Sequence, residues 1–208
     1  MIWLSDKIEF PDYKFITKEG IIALGGDLSE ERLIFAYESG IFPWFSEGEP
    51  IVWYCPSERM VLFPNDLKVS KSMRKIIRKN EFVITENKAF EEVIYNCKNI
   101  YRNDSLGTWI TDDMEQAYIN LHKIGVAKSI EVWINDELVG GLYGLEINDI
   151  FSGESMFSKM SNASKLAFIH LVKTKKYKLI DCQIYNEHLA SLGAKEIGRD
   201  LFLRALKK

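Results

Sequence analysis

Glu154 and Asp181 stand where strand-like sequence ordinarily carries no charge. Glu154 lies in the run Phe151-Ser152-Gly153-Glu154-Ser155-Met156-Phe157, and Asp181 lies in Leu179-Ile180-Asp181-Cys182-Gln183. A carboxylate in such a setting must be paired, hydrogen-bonded or protonated, because an unpaired buried charge is costly. Two of them on strands joined by one helix point to a site. Strand alternation sends Asp181 and Gln183 to one face and Cys182 to the other. The pair can then orient and deprotonate an amine, or make a structural hydrogen bond at a strand end. Cys182 is expected to be an inert core thiol, with no base beside it in sequence. Glu154, next to Ser152 and Gly153, is open to a ligand or caps backbone N–H groups. No spacing suggests a Ser/His/Asp arrangement.

A second feature is cationic. Lys71, Arg74, Lys75, Arg78 and Lys79 recur at helical spacing and fall within about 140° of arc at ~100° per residue. Val69, Met73, Ile76 and Ile77 take the opposite side. The stripe is either a solvated helix face or a phosphate contact, which would read nucleic-acid backbone and be steeply salt-dependent. Trp44 and Trp109 sit on irregular segments beside proline or glycine. Each is either a core anchor or a platform for a nucleobase. Trp3, Trp53 and Trp133 are expected to pack.

Composition narrows the classes. The chain has 208 residues, 47% of them hydrophobic, and a net charge of −3, enough apolar material for a large core and too acidic for a general nucleic-acid coat. Cys55, Cys97 and Cys182 are odd in number and far apart, and His122, His170 and His188 lack ligand spacing, so neither a disulfide framework nor a metal site is expected. No signal peptide and no membrane span are expected. A reducing cytoplasm is the expected location.

These residues need elements to hold them. Gly25-Gly26-Asp27 is a turn, Ser29 caps a helix with Leu33, Ala36 and Tyr37 on one face, and Gly40 ends it. Aromatic loops and short strands follow. Helices are predicted from Ser70, through Phe90, Val93, Ile94 and Cys97, and from Thr111 through Met114, Ala117, Tyr118 and Leu121 to Gly125. The pattern then changes to strands at 129–134, 138–147 and 150–157, with Asn135-Asp136 as a hairpin turn. A helix over 162–176, a strand over 179–184, a short helix from Asn186 to Gly193 and a last strand over 197–203 complete the chain. The fold class is α+β. The order is similar to the GNAT acyltransferase fold, a mixed and mostly antiparallel sheet with flanking helices. A small N-terminal α/β domain (1–58) is expected before the catalytic domain (59–208).

Several blocks together resemble one family: Gly40-Ile41-Phe42-Pro43-Trp44-Phe45, Gly107-Thr108-Trp109-Ile110-Thr111, Leu138-Val139-Gly140-Gly141-Leu142-Tyr143-Gly144, Gly153-Glu154-Ser155-Met156-Phe157-Ser158, Asn162-Ala163-Ser164-Lys165 and Leu179-Ile180-Asp181-Cys182-Gln183. With Gly25-Gly26-Asp27-Leu28 and Ser129-Ile130-Glu131-Val132-Trp133, they run in order over nearly the whole chain. The chain resembles the bacterial leucyl/phenylalanyl-tRNA–protein transferases. The resemblance implies transfer of Leu or Phe, and Met less well, from aminoacyl-tRNA to the N-terminal Lys or Arg of a protein, which marks it for degradation. It implies that Trp44 and Trp109 hold the terminal adenosine. Lys71, Lys75, Arg78 and Lys79 would contact the tRNA backbone, and Arg74, on the same face by spacing, is expected to join them. Leu142, Phe151 and Met156 would line the amino-acid pocket, and Glu154, Asp181 and Gln183 would form the catalytic centre. No metal, cofactor or membrane is implied. Leu142 stands where the family commonly has methionine, and many members continue beyond the position of Lys208.

The chemistry is consistent with such a centre. An aminoacyl ester is already activated, and an α-amine with a pKa of about 7.7–8.0 is partly free at neutral pH. Positioning then supplies most of the rate. Asp181 and Gln183 are expected to orient the amine and relay its proton, with Glu154 holding the aminoacyl end. Two other readings compete. A CoA-dependent N-acetyltransferase would need a glycine-rich pyrophosphate loop, which Ser158-Lys159-Met160-Ser161-Asn162-Ala163 lacks. A tRNA-binding module without chemistry would have no use for both carboxylates.

Overall fold

The computed structural model describes residues 1–100, 109–174 and 176–207. Its N-terminal part holds β1 (Trp3–Leu4), β2 (Ile21–Gly25), α1 (Glu30–Glu38), β3 (Phe42–Pro43) and β4 (Val52–Tyr54). These strands form a small sheet in the order β1-β2-β4-β3. Ser29 caps α1 by accepting the Arg32 N–H, and Gly40 follows with φ +70. A side chain on Gly40 would drive its Cβ to 2.7 Å from Leu203, so this turn also packs the two ends of the chain together.

The larger sheet begins with β5 (Glu58–Leu62). After it come α2 (Lys71–Lys79), β6 (Val83–Glu86), α3 (Phe90–Asn99) and α4 (Asp112–Lys123). The meander β7 (Ala127–Ile134), β8 (Glu137–Ile147) and β9 (Ile150–Ser158) is followed by α5 (Ala163–Lys173), β10 (Leu179–Gln183), α6 (Glu187–Ser191), β11 (Lys195–Gly198) and α7 (Arg199–Leu206). The seven strands lie in the order β11-β5-β10-β9-β8-β7-β6. Among the described strands of this sheet only β9 and β10 pair in parallel, which is the pairing a crossover helix such as α5 permits. The α+β class and the mostly antiparallel sheet with flanking helices are therefore as expected.

Side-chain alternation divides the meander between two cores. Tyr143 and Leu145 face α1, α3 and α4, whereas Leu142 and Phe151 face α2 and α5. The first core is continuous with the small sheet through Ala23, Tyr37 and Trp53, so apolar packing runs across residue 58. Glu131 is fully buried on β7. It accepts from Thr85, Ser129 and the backbone N–H groups of Lys88 and Ala89, and so caps the start of α3, whose own cap residue Ala89 cannot.

Two sequence expectations differ. The last strand stops at Gly198, and residues from Arg199 form a helix, because Phe202 and Leu206 at i, i+4 bury against Val61 and Leu179. Trp3, expected to pack, is 64% exposed, with only one edge of its ring against Gly25.

Candidate active site

Both acidic strands are irregular at the acid. On β9 the register against β8 moves from Tyr143↔Ser155 to Gly144↔Gly153, so Glu154 is the extra residue of a β-bulge. On β10 the register against β5 moves from Asp181↔Val61 to Gln183↔Met60, so Cys182 is the extra residue there. Bulges bend a strand and re-aim its side chains. The first bulge also brings the Ser152 carbonyl and the Phe151 ring over Gly144. A Cβ at that position would lie 2.2 Å from the Ser152 oxygen and 2.6 Å from the ring, so only glycine fits.

The parallel pairing of β9 with β10 ends at Ser152↔Asp181. Two residues further along each strand, the Gln183 side-chain N–H donates to Glu154 Oε1 at 2.7 Å. The hydroxyl of Tyr37, from α1, donates to the same oxygen at 2.7 Å, and that of Tyr118, from α4, donates to Oε2 at 3.0 Å. The two hydroxyls also meet each other at 2.6 Å. Three oxygen–oxygen contacts thus form a ring. Two phenols carry two protons, so ionised Glu154 leaves one of the three contacts without a proton; when Glu154 is protonated it donates to one phenol, which then donates to the other. Burial pushes the Glu154 carboxyl up to about 7, against the hydrogen bonds from Tyr37 and Tyr118, which favour its charged form.

Asp181 is fully buried, and its oxygens are already engaged. Arg59 Nε donates to Oδ1 at 2.8 Å and Nη2 to Oδ2 at 2.7 Å. The Gln183 backbone N–H donates to Oδ1 at 2.9 Å, and Ser152 Oγ lies 3.3 Å from Oδ2. The expected alternation at 181–183 is replaced by the bulge and by a left-handed backbone at Gln183, φ 64. Gln183 therefore contacts Asp181 through its backbone and Glu154 through its amide. Cys182 is half-buried and also borders the cleft, and burial pushes its thiol well above the ordinary range. A thiol held neutral in this way is a poor nucleophile.

One cleft of about 1010 Å³ gathers these groups. Trp44 and Trp109 line it on one side; Trp44 is 40% exposed and tilted against Tyr54, and Trp109 is half-buried. Gly107 and Thr108 of the Trp109 block lie outside the described residues. Leu142, Phe151 and Met156 line the cleft as well, joined by Phe168, Leu171 and Leu189. Among the described lining residues are the acids Glu47, Glu154 and Asp181, and there is no lysine or arginine.

The five cations of α2 lie elsewhere. Lys71, Arg74, Lys75, Arg78 and Lys79 are all exposed, with Met73 buried and Ile76 and Ile77 half-buried beneath them. Ser70 caps the helix and Asn80 ends it in a left-handed turn. None of the five lines the cleft. Lys79 pairs with Glu81, an acid just beyond the helix, at 3.4 Å.

Three polar residues of the site are not evident from sequence motifs. Tyr37 and Tyr118 are hidden by helical periodicity, which marks them only as core. Arg59 does carry a signal, since a cation beside Met60-Val61-Leu62 is as anomalous in a strand as Asp181.

Comparison with known proteins agrees over the whole chain. The sequence profile described as leucyl/phenylalanyl-tRNA protein transferase matches residues 61–207, and that of its N-terminal domain matches residues 26–57. A leucyl/phenylalanyl-tRNA–protein transferase of Flavobacterium psychrophilum is 57% identical, covering 100% of both chains. That of Chromobacterium violaceum is 49% identical over 99% of this chain and 90% of its own. Among solved structures, FemX aligns with a TM-score of 0.48 at 10% identity, covering 81% of this chain and 66% of its own.

Proposed function

Because the chain belongs to the leucyl/phenylalanyl-tRNA–protein transferase family, and is thus an aminoacyltransferase acting from tRNA to protein, we propose that it moves Leu or Phe, and Met less well, to the N-terminal Lys or Arg of acceptor proteins. The product is a mark for proteolysis, and the reaction belongs to the cytoplasm, where aminoacyl-tRNA is made. In this reading residues 1–58 form a supporting domain and 59–208 the catalytic one.

The observation that carries the proposal is a single cleft with an apolar pocket, two indoles and the Glu154–Gln183 pair on its walls. Leu142, Phe151 and Met156 receive the transferred side chain. Each methylene buried there contributes about 0.8 kcal/mol, so discrimination against Met is modest. Trp44 and Trp109 hold the terminal adenosine by stacking. Described lining residues that include acids and no lysine or arginine suit an acceptor that brings an amine and a basic side chain, and they disfavour the pyrophosphate of CoA. The exposed cations of α2 contact the tRNA backbone outside the cleft.

The acceptor's neutral α-amine attacks the ester carbonyl carbon. A C–N bond forms, the bond from carbonyl carbon to ribose oxygen breaks, and the tRNA hydroxyl leaves. The amine proton goes to ionised Glu154 and from there to the departing oxygen. A carboxyl at about 7 is close to the amine it serves, which favours proton transfer in both directions. Gln183 orients this carboxylate, and Asp181 fixes the Gln183 backbone. Asp181 is thus an anchor here: it is fully buried and tied to the Arg59 guanidinium, whereas Glu154 is half-buried and its donors Tyr37, Tyr118 and Gln183 are neutral.

Incubation with labelled Phe-tRNA and a peptide beginning with Lys tests the reading. Label appears in the peptide and not in a peptide beginning with Glu, and Leu-, Phe- and Met-tRNA compete in that order of effectiveness or with Leu and Phe exchanged. Acetylation from acetyl-CoA, or tRNA binding without a peptide bond, would overturn it.

A further inference from the structure

We infer that Arg59 is a positioning residue for the acyl-transfer site: held between the rings of Phe42 and Phe202, its guanidinium fixes the Asp181 carboxylate and, through it, the backbone turn that aims the Gln183 amide at Glu154. The inference rests on the aminoacyl-transfer reading of the cleft.

Arg59 does not line the cleft and is 2% exposed, so it acts only through its neighbours. Both faces of the guanidinium are covered, with Phe42 and Phe202 each 4.6 Å from its carbon. Its edges are spent on two parallel bonds to Asp181 and one from Nη1 to the Gly40 carbonyl at 3.1 Å. These partners come from the small sheet, the turn after α1, β10 and α7. The guanidinium is therefore a keystone between the two ends of the chain, and only a planar fork satisfies all of these contacts together.

The next links lead to the chemistry. Asp181 Oδ1 accepts the N–H of Gln183, whose backbone is left-handed without being glycine. Such a conformation persists where surrounding structure over-determines it. The same turn sends the Gln183 amide to Glu154 at 2.7 Å. A buried ion pair is by itself weak evidence of stabilisation, since an apolar replacement of similar volume is often as stable. Its worth here is geometric.

The test is Arg59→Lys, which keeps the charge and removes the fork. The kcat for Phe transfer to a Lys-initiated peptide falls about tenfold or more, while the KM for Phe-tRNA stays within about twofold. The titration of Glu154, followed by 13C NMR of the labelled carboxyl without turnover, moves to higher pH because the Gln183 amide no longer supports the charged form. A lower melting temperature with kcat and the Glu154 titration unchanged would overturn the inference. If Arg59→Lys does not fold, Phe202→Leu decides. It removes one ring face and leaves the fork, and it gives the same two changes at smaller size; no change in either is the overturning result. A wild-type protein that makes no peptide bond would defeat the transfer reading alone, because the NMR shift still reports whether Arg59 sets Glu154.

Discussion

Gln183 and Glu154 meet just past the point where two parallel strands stop pairing, the amide of one donating to the carboxylate of the other at 2.7 Å. Neither residue follows the regular ladder, for Glu154 is itself a bulge residue and Gln183 follows one. The pair therefore joins two strands by side chains where the backbone no longer does, and it faces the cleft.

Replacing Glu154 by Gln removes the proton acceptor while keeping its size. In the wild type, kcat rises as pH climbs through about 7, the value to which burial raises this carboxyl. In Glu154→Gln that inflection disappears and kcat falls by roughly 10²–10⁴-fold. Single-turnover transfer between pH 5.5 and 8.5 measures both effects. Retention of the inflection would assign it to another group.

The same carboxyl makes stability depend on pH. Its folded pKa of about 7 lies above the ordinary 4.5, so between these values the folded chain binds more protons than the unfolded one. The stability associated with this group is complete below about pH 4.5 and is lost as pH rises through about 7. The full change is about 3 kcal/mol. Urea unfolding of the wild type and Glu154→Gln at pH 5 and pH 8 checks it: the difference between the two proteins shifts towards the variant at the higher pH.

Neutralising Lys75 and Arg78 together on α2 weakens aminoacyl-tRNA binding without changing kcat at saturation. The plot of log affinity against log salt becomes shallower by roughly one for each phosphate that is no longer neutralised. Filter binding at several salt concentrations, with Lys159→Ala as a cationic control outside the helix, measures the slope. An unchanged slope would leave the stripe as a solvated face.

Trp44→Ala and Trp109→Ala each remove an indole from the cleft wall. Each raises the Kd of a non-hydrolysable aminoacyl-adenosine by about 5- to 150-fold, which corresponds to ~1–3 kcal/mol for one stacked base. Trp133→Phe, outside the cleft, leaves that Kd unchanged. Calorimetry compares the three, and equal effects from all of them would point to general loosening.

Much of this arrangement is legible in the sequence because local chemistry announces it. Ser29, Ser70, Thr111 and Asn186 each cap the helix that their position predicts, and Asn135-Asp136 turns the hairpin with both φ angles positive. The helix over 199–206 reads as a strand because Ile197, Leu201 and Leu203 also fit a two-residue period, and burial of Phe202 against a distant part of the chain makes the choice. The acids stand out by their apolar surroundings. Arg59 stands out in the same way, but its pairing with Asp181 does not, and Tyr37 and Tyr118 do not stand out at all, because these partners come from remote segments that only the fold brings together. The bulge on β9 leaves its mark only in the glycine opposite it, Gly144, and no residue type marks the one at Cys182, so the faces expected for Asp181, Cys182 and Gln183 follow a period that the strand does not keep.

Those bulges write part of the activity into chain length. Each adds one residue to a strand that a plain ladder would omit. Deleting residue 154 or 182 would close the gap in the ladder, and the flanking residues would keep their partners, Tyr143↔Ser155 and Gly144↔Gly153 on one strand and Asp181↔Val61 and Gln183↔Met60 on the other. The cleft would lose the Glu154 carboxylate in the first case, and in the second the bent backbone that aims the Gln183 amide. Substitutions can change this enzyme gradually, but a single-codon loss at either position has no intermediate outcome: the sheet improves and the site is gone.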